Sequence, residues 1–273
     1  MNAGTRVFGS QIRRLMKQGH VRCDENVTQI RSLPPLHLLS IVALLSIGCS
    51  SVAHADTAIE TETAQIGKQG EIAISQSYEY AAAKDGTSGG TLSQFEYGLS
   101  DRAELLVEPF FYVWEHPDGE SKVDGLGDLE ITPSYEFVLE DGWVPAMLAA
   151  FKLKVPTGSQ DAGSSGKYDY MPYLILGQHY GGWTFNVNLG VNFVAASDAG
   201  PSEEATTWCL ETERDVLTHL TLFLEAFSTE DNVKTVSTAL EYKWNEHLDT
   251  FAAAGYTEED ESIFRVGLNL DFP

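Results

Sequence analysis

Residues 183–195 read WTFNVNLGVNFVA. Trp183, Phe185, Val187, Leu189, Val191, Phe193 and Ala195 take the odd positions, and Thr184, Asn186, Asn188, Gly190, Asn192 and Val194 the even ones. Alternation at period two describes an extended strand, because successive side chains point to opposite faces. One face here is apolar from end to end, and the other is rich in amides. The stretch is also long enough for a tilted strand to cross a bilayer, which takes about 9–11 residues.

The same pattern spreads in both directions. In 125–139, Leu129, Ile131, Pro133, Tyr135, Phe137 and Leu139 alternate with Asp128, Glu130, Thr132, Ser134, Glu136 and Val138. Further strands are predicted near 70–81, 91–100, 103–115, 145–156, 168–180, 205–214, 218–228, 234–245, 249–257 and 262–272, making twelve in all. Short turns are expected at Ser100-Asp101-Arg102, Glu140-Asp141-Gly142, Tyr180-Gly181-Gly182, Arg214-Asp215-Val216 and Asn245-Glu246-His247. Longer polar connections, at 84–90, 116–124, 157–167 and 197–204, alternate with them, while those near 229–232 and 258–261 are short. Short turns alternating with long loops, and an even strand number, describe an antiparallel up-and-down transmembrane β-barrel with both termini periplasmic. Aromatic residues gather near strand ends, among them Tyr80, Trp114, Trp143, Trp183, Tyr242 and Trp244, where interfacial girdles form.

Composition agrees once the faces are separated. A mean hydropathy of -0.15 would suit a soluble protein. A barrel exposes apolar residues on only one face of each strand, so its average stays modest. Arg31 precedes a short apolar run, LHLLSIVALLSI (36–47), and Ala53-His54-Ala55 follows as an A-x-A cleavage site. Residues 1–55 are therefore read as a cleaved signal peptide with an over-long N-terminal region. Ser46 stands where a lipoprotein box wants Leu, so Cys49 is not read as lipidated. Residues 56–69 are expected to form a short periplasmic segment, and 70–273 the barrel.

The formal charge is -23, and without the first 55 residues 11 basic and 38 acidic residues leave -27. Such a surface repels nucleic acid, which is excluded as a partner. Cys209 alone survives processing and reads as a small packed side chain in a strand.

The terminal strand ends Arg265-Val266-Gly267-Leu268-Asn269-Leu270-Asp271-Phe272-Pro273. It resembles the closing-strand signal of bacterial outer-membrane proteins, with Arg265, Gly267, Leu270 and Phe272 at the signal positions. That resemblance implies recognition by the barrel assembly machinery; Pro273 after the aromatic is a departure. Local motifs resemble the outer-membrane family named for the MetA pathway of phenol degradation. They are Tyr97-Gly98-Leu99-Ser100-Asp101-Arg102-Ala103-Glu104-Leu105, Gly125-Leu126-Gly127-Asp128-Leu129 leading to Tyr135, Val155-Pro156-Thr157-Gly158, and Tyr180-Gly181-Gly182-Trp183-Thr184. The resemblance covers nearly the whole processed chain and implies a link with aromatic catabolism, including uptake of such compounds.

If the apolar faces meet lipid, the opposite faces line a lumen. Its expected lining includes Glu104, Glu108, Asp128, Glu130, Glu136, Lys152, Lys154, Asn186, Asn188, Glu225, Lys243 and Arg265, with Glu79, Glu96, Glu211, Glu241 and Asp271 in the same phase. Phe110, Tyr112 and Phe223 are expected lumen aromatics. Unpaired charge in a dry site costs several kcal/mol, so this interior is either wet or extensively paired. One reading is a narrow channel for passive uptake of small solutes. A second is a structural barrel filled by ion pairs, with Lys152 and Lys154 pairing Asp128, Glu130 or Glu136. An outer-membrane hydrolase is the third, for which His219, Thr221 and His179 are the residues to weigh, though no nucleophile motif surrounds them. No cofactor motif and no metal-ligand spacing appears; His116, Asp118 and Glu120 read as a solvated loop. Partners implied are outer-membrane lipid, the assembly machinery and a small solute of unknown identity, for a monomeric, non-enzymatic protein.

Overall fold

A computed structural model describes residues 60–159, 164, 166–195, 203–228 and 233–273. The expected signal segment and its cleavage residues Ala53 and Ala55 lie outside the described residues. Thirteen strands follow in order: β1 (Ile72–Ala83), β2 (Gly86–Ser100), β3 (Ala103–Pro117), β4 (Val123–Gly125), β5 (Leu129–Val138), β6 (Ala146–Val155), β7 (Asp169–Tyr180), β8 (Trp183–Val194), β9 (Glu203–Leu217), β10 (Leu220–Ser228), β11 (Lys234–Asn245), β12 (Leu248–Thr257) and β13 (Ser262–Phe272). Every strand except the three-residue β4, which pairs only with β3, pairs antiparallel with a neighbour on each side around the ring, and β1 pairs with both β2 and β13. The sheet is thus a closed ring of twelve strands. Closure leaves no edge strand with an open row of N–H and C=O groups, the condition for a β-structure in hydrocarbon.

The two ends of the ring differ. At one end, the turn end, lie the start of β1, the end of β13 and the tight connections. The opposite, loop end carries the longer connections. Gly181 and Gly182, with φ of 61° and 79°, form a two-residue turn between Tyr180 and Trp183. Positive φ at both central residues matches the twist of the flanking strands, and glycine reaches it without a Cβ clash.

Alternation controls burial as the sequence requires. Along β8, Asn186, Asn188 and Asn192 are buried while Phe185, Leu189 and Val191 are exposed. On β13, Arg265, Asn269 and Asp271 turn inward, and Phe264 and Val266 turn outward. An exposed apolar face around the whole ring far exceeds the few hundred Å² that soluble monomers tolerate, and its physical partner is lipid. Aromatics cluster at both rims: Trp143 with Tyr180 and Tyr242 with Trp244 at the turn end, Tyr170 with Phe193 and Tyr80 with Trp114 toward the loop end.

Several expectations need correction. The segment 84–90 is no long loop: β2 begins at Gly86, leaving only Lys84 and Asp85 to turn. Its glycines serve packing, since a Cβ on Gly89 would stand 3.0 Å from the Trp114 ring. Arg214 to Val216 remain in β9, and the turn falls at Thr218-His219. The largest correction concerns the segment before β1. Its described residues, 60–69, do not lie outside the barrel but run inside it, as the contacts below establish.

A charged lumen crossed by the N-terminal strap

The lumen side chains come from the inward phase of each strand, and their charges are paired across neighbouring strands. Arg265 of β13 faces its register partner Glu79 of β1, with Nη2 at 2.8 Å and Nε at 3.2 Å from the same carboxylate oxygen. Both side chains are 3% exposed. Lys154 of β6 pairs with Asp169 of β7, again a register partner, rather than with a β5 carboxylate. Asn186 of β8 donates to Glu211 of β9 at 3.0 Å.

Lys152 is the centre of the largest group. Its Nζ lies 3.3 Å from Glu108, 3.5 Å from Glu130 and 3.6 Å from Glu62, all almost fully buried. Gln94 of β2 donates to Glu108 at 3.2 Å. Two of these carboxylates belong to strands β3 and β5. The third, Glu62, belongs to the strap formed by residues 60–69.

The strap crosses the lumen from the turn end toward its middle and is held by side chains of five strands. Gly67 N–H donates to Glu104 of β3 at 2.9 Å, and Ala64 N–H to Asn186 of β8 at 3.3 Å. Asn188 of β8, with its amide turned to satisfy both atoms, accepts from Glu62 N–H at 2.7 Å and donates to Glu62 C=O at 2.9 Å. Tyr173 of β7 donates its hydroxyl to the Glu62 carboxylate, and Lys152 of β6 flanks it. Glu225 of β10 receives Glu60 N–H, Thr61 N–H and the Thr61 hydroxyl at 2.6–2.8 Å, while Ser237 of β11 donates to its second oxygen. An extended segment has no internal hydrogen bonds, so its backbone groups need such partners wherever water is excluded.

Packing supplements these bonds. Ala64 and Ile66 rest on an apolar patch of β6 and β7 that includes Ala146, Leu148 and Ile175. A second inward apolar patch joins Phe223, Phe227, Ala253 and Ile263 on the other wall.

The space left is unequal. A cavity of about 470 Å³ opens at the turn end between the strap and Glu96, Glu104, Glu136 and Glu213. A second, about 420 Å³, is lined by Asp215, Thr221, Phe223, Glu241 and Lys243. Deeper, where Glu62 meets Leu106, Thr132, Leu148 and Ile175, about 20 Å³ remains. That is room for roughly one water, which needs at least about 10–15 Å³.

The expected lining residues fall into groups. Glu104, Glu108, Glu130, Lys152, Asn186, Asn188 and Glu225 meet around the strap. Glu136 and Lys243 line the two cavities, and Arg265 closes the β1–β13 seam. Two residues depart from expectation. Tyr112 is 36% exposed and outward, because β3 carries an extra residue at 111 that reverses its phase; Val113 and Glu115 are buried instead. A bulge opposes two residues to one and so flips every later side chain. Asp128 precedes β5 and organises a loop, accepting from Gly158 N–H at 2.8 Å and the Ser164 hydroxyl at 2.7 Å. The Phe110 side chain lies outside the described residues; Phe223 is inward and buried. Glu62, Tyr173 and the strap carry no local signal in the sequence, since the partners of the strap lie 37 to 165 residues away.

For hydrolysis, the expected histidines are poorly placed. His219 sits in a turn. His179 has Nδ1 2.6 Å from Glu140 and Nε2 3.3 Å from the Gln65 amide, so both ring nitrogens already face other groups. Among the described residues, no set of three or more His, Cys, Asp or Glu side chains could hold a metal ion.

A closed ring of twelve antiparallel strands, apolar outside and charged inside, is the architecture of bacterial outer-membrane barrels. The chain belongs to the family described as "Putative MetA-pathway of phenol degradation", whose model matches residues 51–272. Its fold is similar to the COG4313 outer membrane channel from Pseudomonas putida F1, with a TM-score of 0.61 and 14% identity over 81% of this chain and 100% of that one. It is also similar to the KdgM porin solved with a disordered oligogalacturonate, with a TM-score of 0.53 and 18% identity over 74% and 99%. The NanC porin gives a TM-score of 0.53 and 11% identity over 73% and 100%. A search of curated proteins found no match.

Proposed function

We propose that this protein is a monomeric outer-membrane channel for passive movement of small neutral or cationic solutes. The observation that carries the reading is the pair of cavities, about 470 and 420 Å³, lined by charged side chains in a barrel with an apolar exterior. Cavities of roughly 300–1,000 Å³ are the size that small molecules occupy. The larger one is lined by Glu96, Glu104, Glu136, Glu140 and Glu213, with His179 against Glu140, a field that repels anions. The oligogalacturonate named with the KdgM porin is a polyanion, and this lining suits the opposite charge. Phe223 in the second cavity offers a ring surface to an aromatic solute.

In this reading the turn end, with the start of β1 and the end of β13, faces the periplasm, the usual place of short turns. The last strand serves assembly: Leu270 and Phe272 lie on its lipid phase, and Arg265 and Gly267 on its lumen phase. Ring closure leaves no edge strand to drive oligomerisation. No enzymatic role is proposed.

The test is reconstitution. The processed barrel in liposomes should pass arabinose and small cations faster than galacturonate, and planar-bilayer currents should be cation-selective. A filled, non-conducting barrel is the competing reading, favoured by the constriction of about 20 Å³ beside Glu62. Absence of flux even after deletion of residues 60–67 would establish that alternative and end the channel reading.

A further inference from the structure

Glu136 of β5 is 8% exposed, yet its carboxylate makes no hydrogen bond and no ion pair among the described residues. Arg102, exposed at the β2–β3 turn, acts on it only through space. Other buried lumen carboxylates are engaged: Glu79 by Arg265, Asp169 by Lys154, Glu225 by Thr61 and Ser237. Glu136 instead lines the turn-end cavity of about 470 Å³. Burying a charge is costly unless it is paired, so a carboxylate turned to a cavity points to a cation received from outside the chain.

The rest of the cavity has matching chemistry. Glu104 of β3 accepts Gly67 N–H with one oxygen, and its other oxygen takes no hydrogen bond among the described residues. The register partner of Glu104 on β5 is Ser134, so Glu104 and Glu136 are diagonal neighbours on the inward face, about 7–8 Å apart. Glu213 of β9 adds negative charge from the wall beyond β6, β7 and β8. Ala64 and Ile66 of the strap and Ala146 of β6 give the same cavity an apolar floor. Among the described residues no Lys or Arg lines it, whereas Arg214 and Lys243 line the second cavity. Its one histidine, His179, is held against Glu140.

We propose that the turn-end cavity is a binding site for short alkylammonium compounds, with Glu136 and Glu104 holding the charged head and Ala64, Ile66 and Ala146 covering the hydrocarbon body. The assignment of these cations as the solute that passes rests on the channel reading; the site itself does not. An ammonium has three N–H donors and bridges two carboxylates at N···O distances of about 2.7–2.9 Å. Carboxylates spread over β3, β5 and β9 do not converge on one small metal ion, but they can share the donors of a larger head group. A neutral alcohol of the same length leaves Glu136 unpaired and binds less well for that reason.

Isothermal titration calorimetry on the full processed barrel in nonionic detergent tests the site. Butylammonium and butanol carry the same hydrocarbon chain and differ only in the head. Butylammonium chloride should bind, and butanol should bind at least about tenfold more weakly. Glu136→Gln should lower butylammonium affinity by at least about tenfold, while Asp260→Asn at the opposite end of the barrel should leave it unchanged. Equal affinity for butylammonium and butanol in the wild type overturns the proposal without recourse to any variant. So does displacement of butylammonium by an equal concentration of sodium chloride, which would reveal a general acidic funnel, or wild-type affinity in a folded Glu136→Gln barrel. Liposome flux separates the site from the channel: binding without butylammonium flux keeps the site and removes the channel reading. Cation flux through a barrel that binds butylammonium no better than sodium keeps the channel and removes the site.

Discussion

The Ala64 methyl of the strap fills the place where Gly177 of β7 lacks one. A Cβ built on Gly177 would stand 2.3 Å from the Ala64 Cβ and 3.1 Å from the Asn186 amide oxygen that accepts Ala64 N–H. The barrel wall and the strap are thus matched at the level of one methyl group. Lower down, a Cβ on Gly98 of β2 would stand 2.0 Å from Lys68 C=O, so the strap enters the lumen against bare backbone.

This match yields a reciprocal test. Gly177→Ala should unseat the strap without unfolding the barrel, since the added methyl points into the lumen. Overpacking costs about 1–3 kcal/mol, which corresponds to roughly a 5- to 150-fold rise in the unseated population. Conductance and exchange of the Ala64 amide should both increase. Ala64→Gly in the Gly177→Ala background should restore docking of the strap, because the wall methyl then occupies the vacated space. Unchanged exchange in Gly177→Ala would show that the strap does not bear on β7.

The Arg265–Glu79 pair at the β1–β13 seam should control barrel closure. Arg265→Ala leaves a buried carboxylate without its cation, a loss of about 3–5 kcal/mol. The barrel should lose its heat-modifiable gel shift at a lower temperature. The double variant Arg265→Gln with Glu79→Gln should recover most of that loss, because two amides can pair across the same register. Equal loss in single and double variants would assign Arg265 to assembly recognition rather than to the pair.

At the loop end, Asp260 joins two hairpin tips. Hydrogen bonds from Lys84 and from the Tyr256 hydroxyl, together with the Lys84 charge, hold its carboxyl below the usual range. A depressed value means that the contact stabilises above the free aspartate range, near pH 3.9, and is lost as pH falls through the lower folded value. Protection factors at residues 84–86 and 258–261, which remove the intrinsic pH dependence of exchange, should therefore be flat from pH 8 to 5 and fall only below about pH 4. Asp260→Asn should show the lowered protection already at neutral pH, with the turn intact, since asparagine tolerates the φ of 63° at this position. Acid-insensitive tips would place the tip contact elsewhere.

Much of the architecture is written locally. Alternation in Trp183–Val194 assigns each side chain to lipid or lumen, because a period of two leaves no third option once one side is apolar. Turns such as Gly181-Gly182 declare themselves by the φ they need. Even the charged interior follows from phase, as Glu108, Glu130 and Lys152 illustrate. Phase fails where the chain inserts a residue: the bulge at 111 sends Tyr112 outward, and no local signal announces it. Glycine misleads at Gly89 and Gly90, which read as a loop but are strand positions emptied for neighbouring side chains.

Sequence alone determined strand number, strand phase and the sign of the interior charge, because each depends on neighbours two residues apart. Tertiary structure alone decided which charges meet and what occupies the lumen. Residues 60–69 have no internal periodicity, and their backbone is satisfied by Glu104, Asn186, Asn188 and Glu225, which the chain brings together only when the ring closes. The physical reason is range: side-chain direction is set by the adjacent peptide units, whereas a hydrogen bond between Thr61 and Glu225 exists only after the nine strands between them have taken their places.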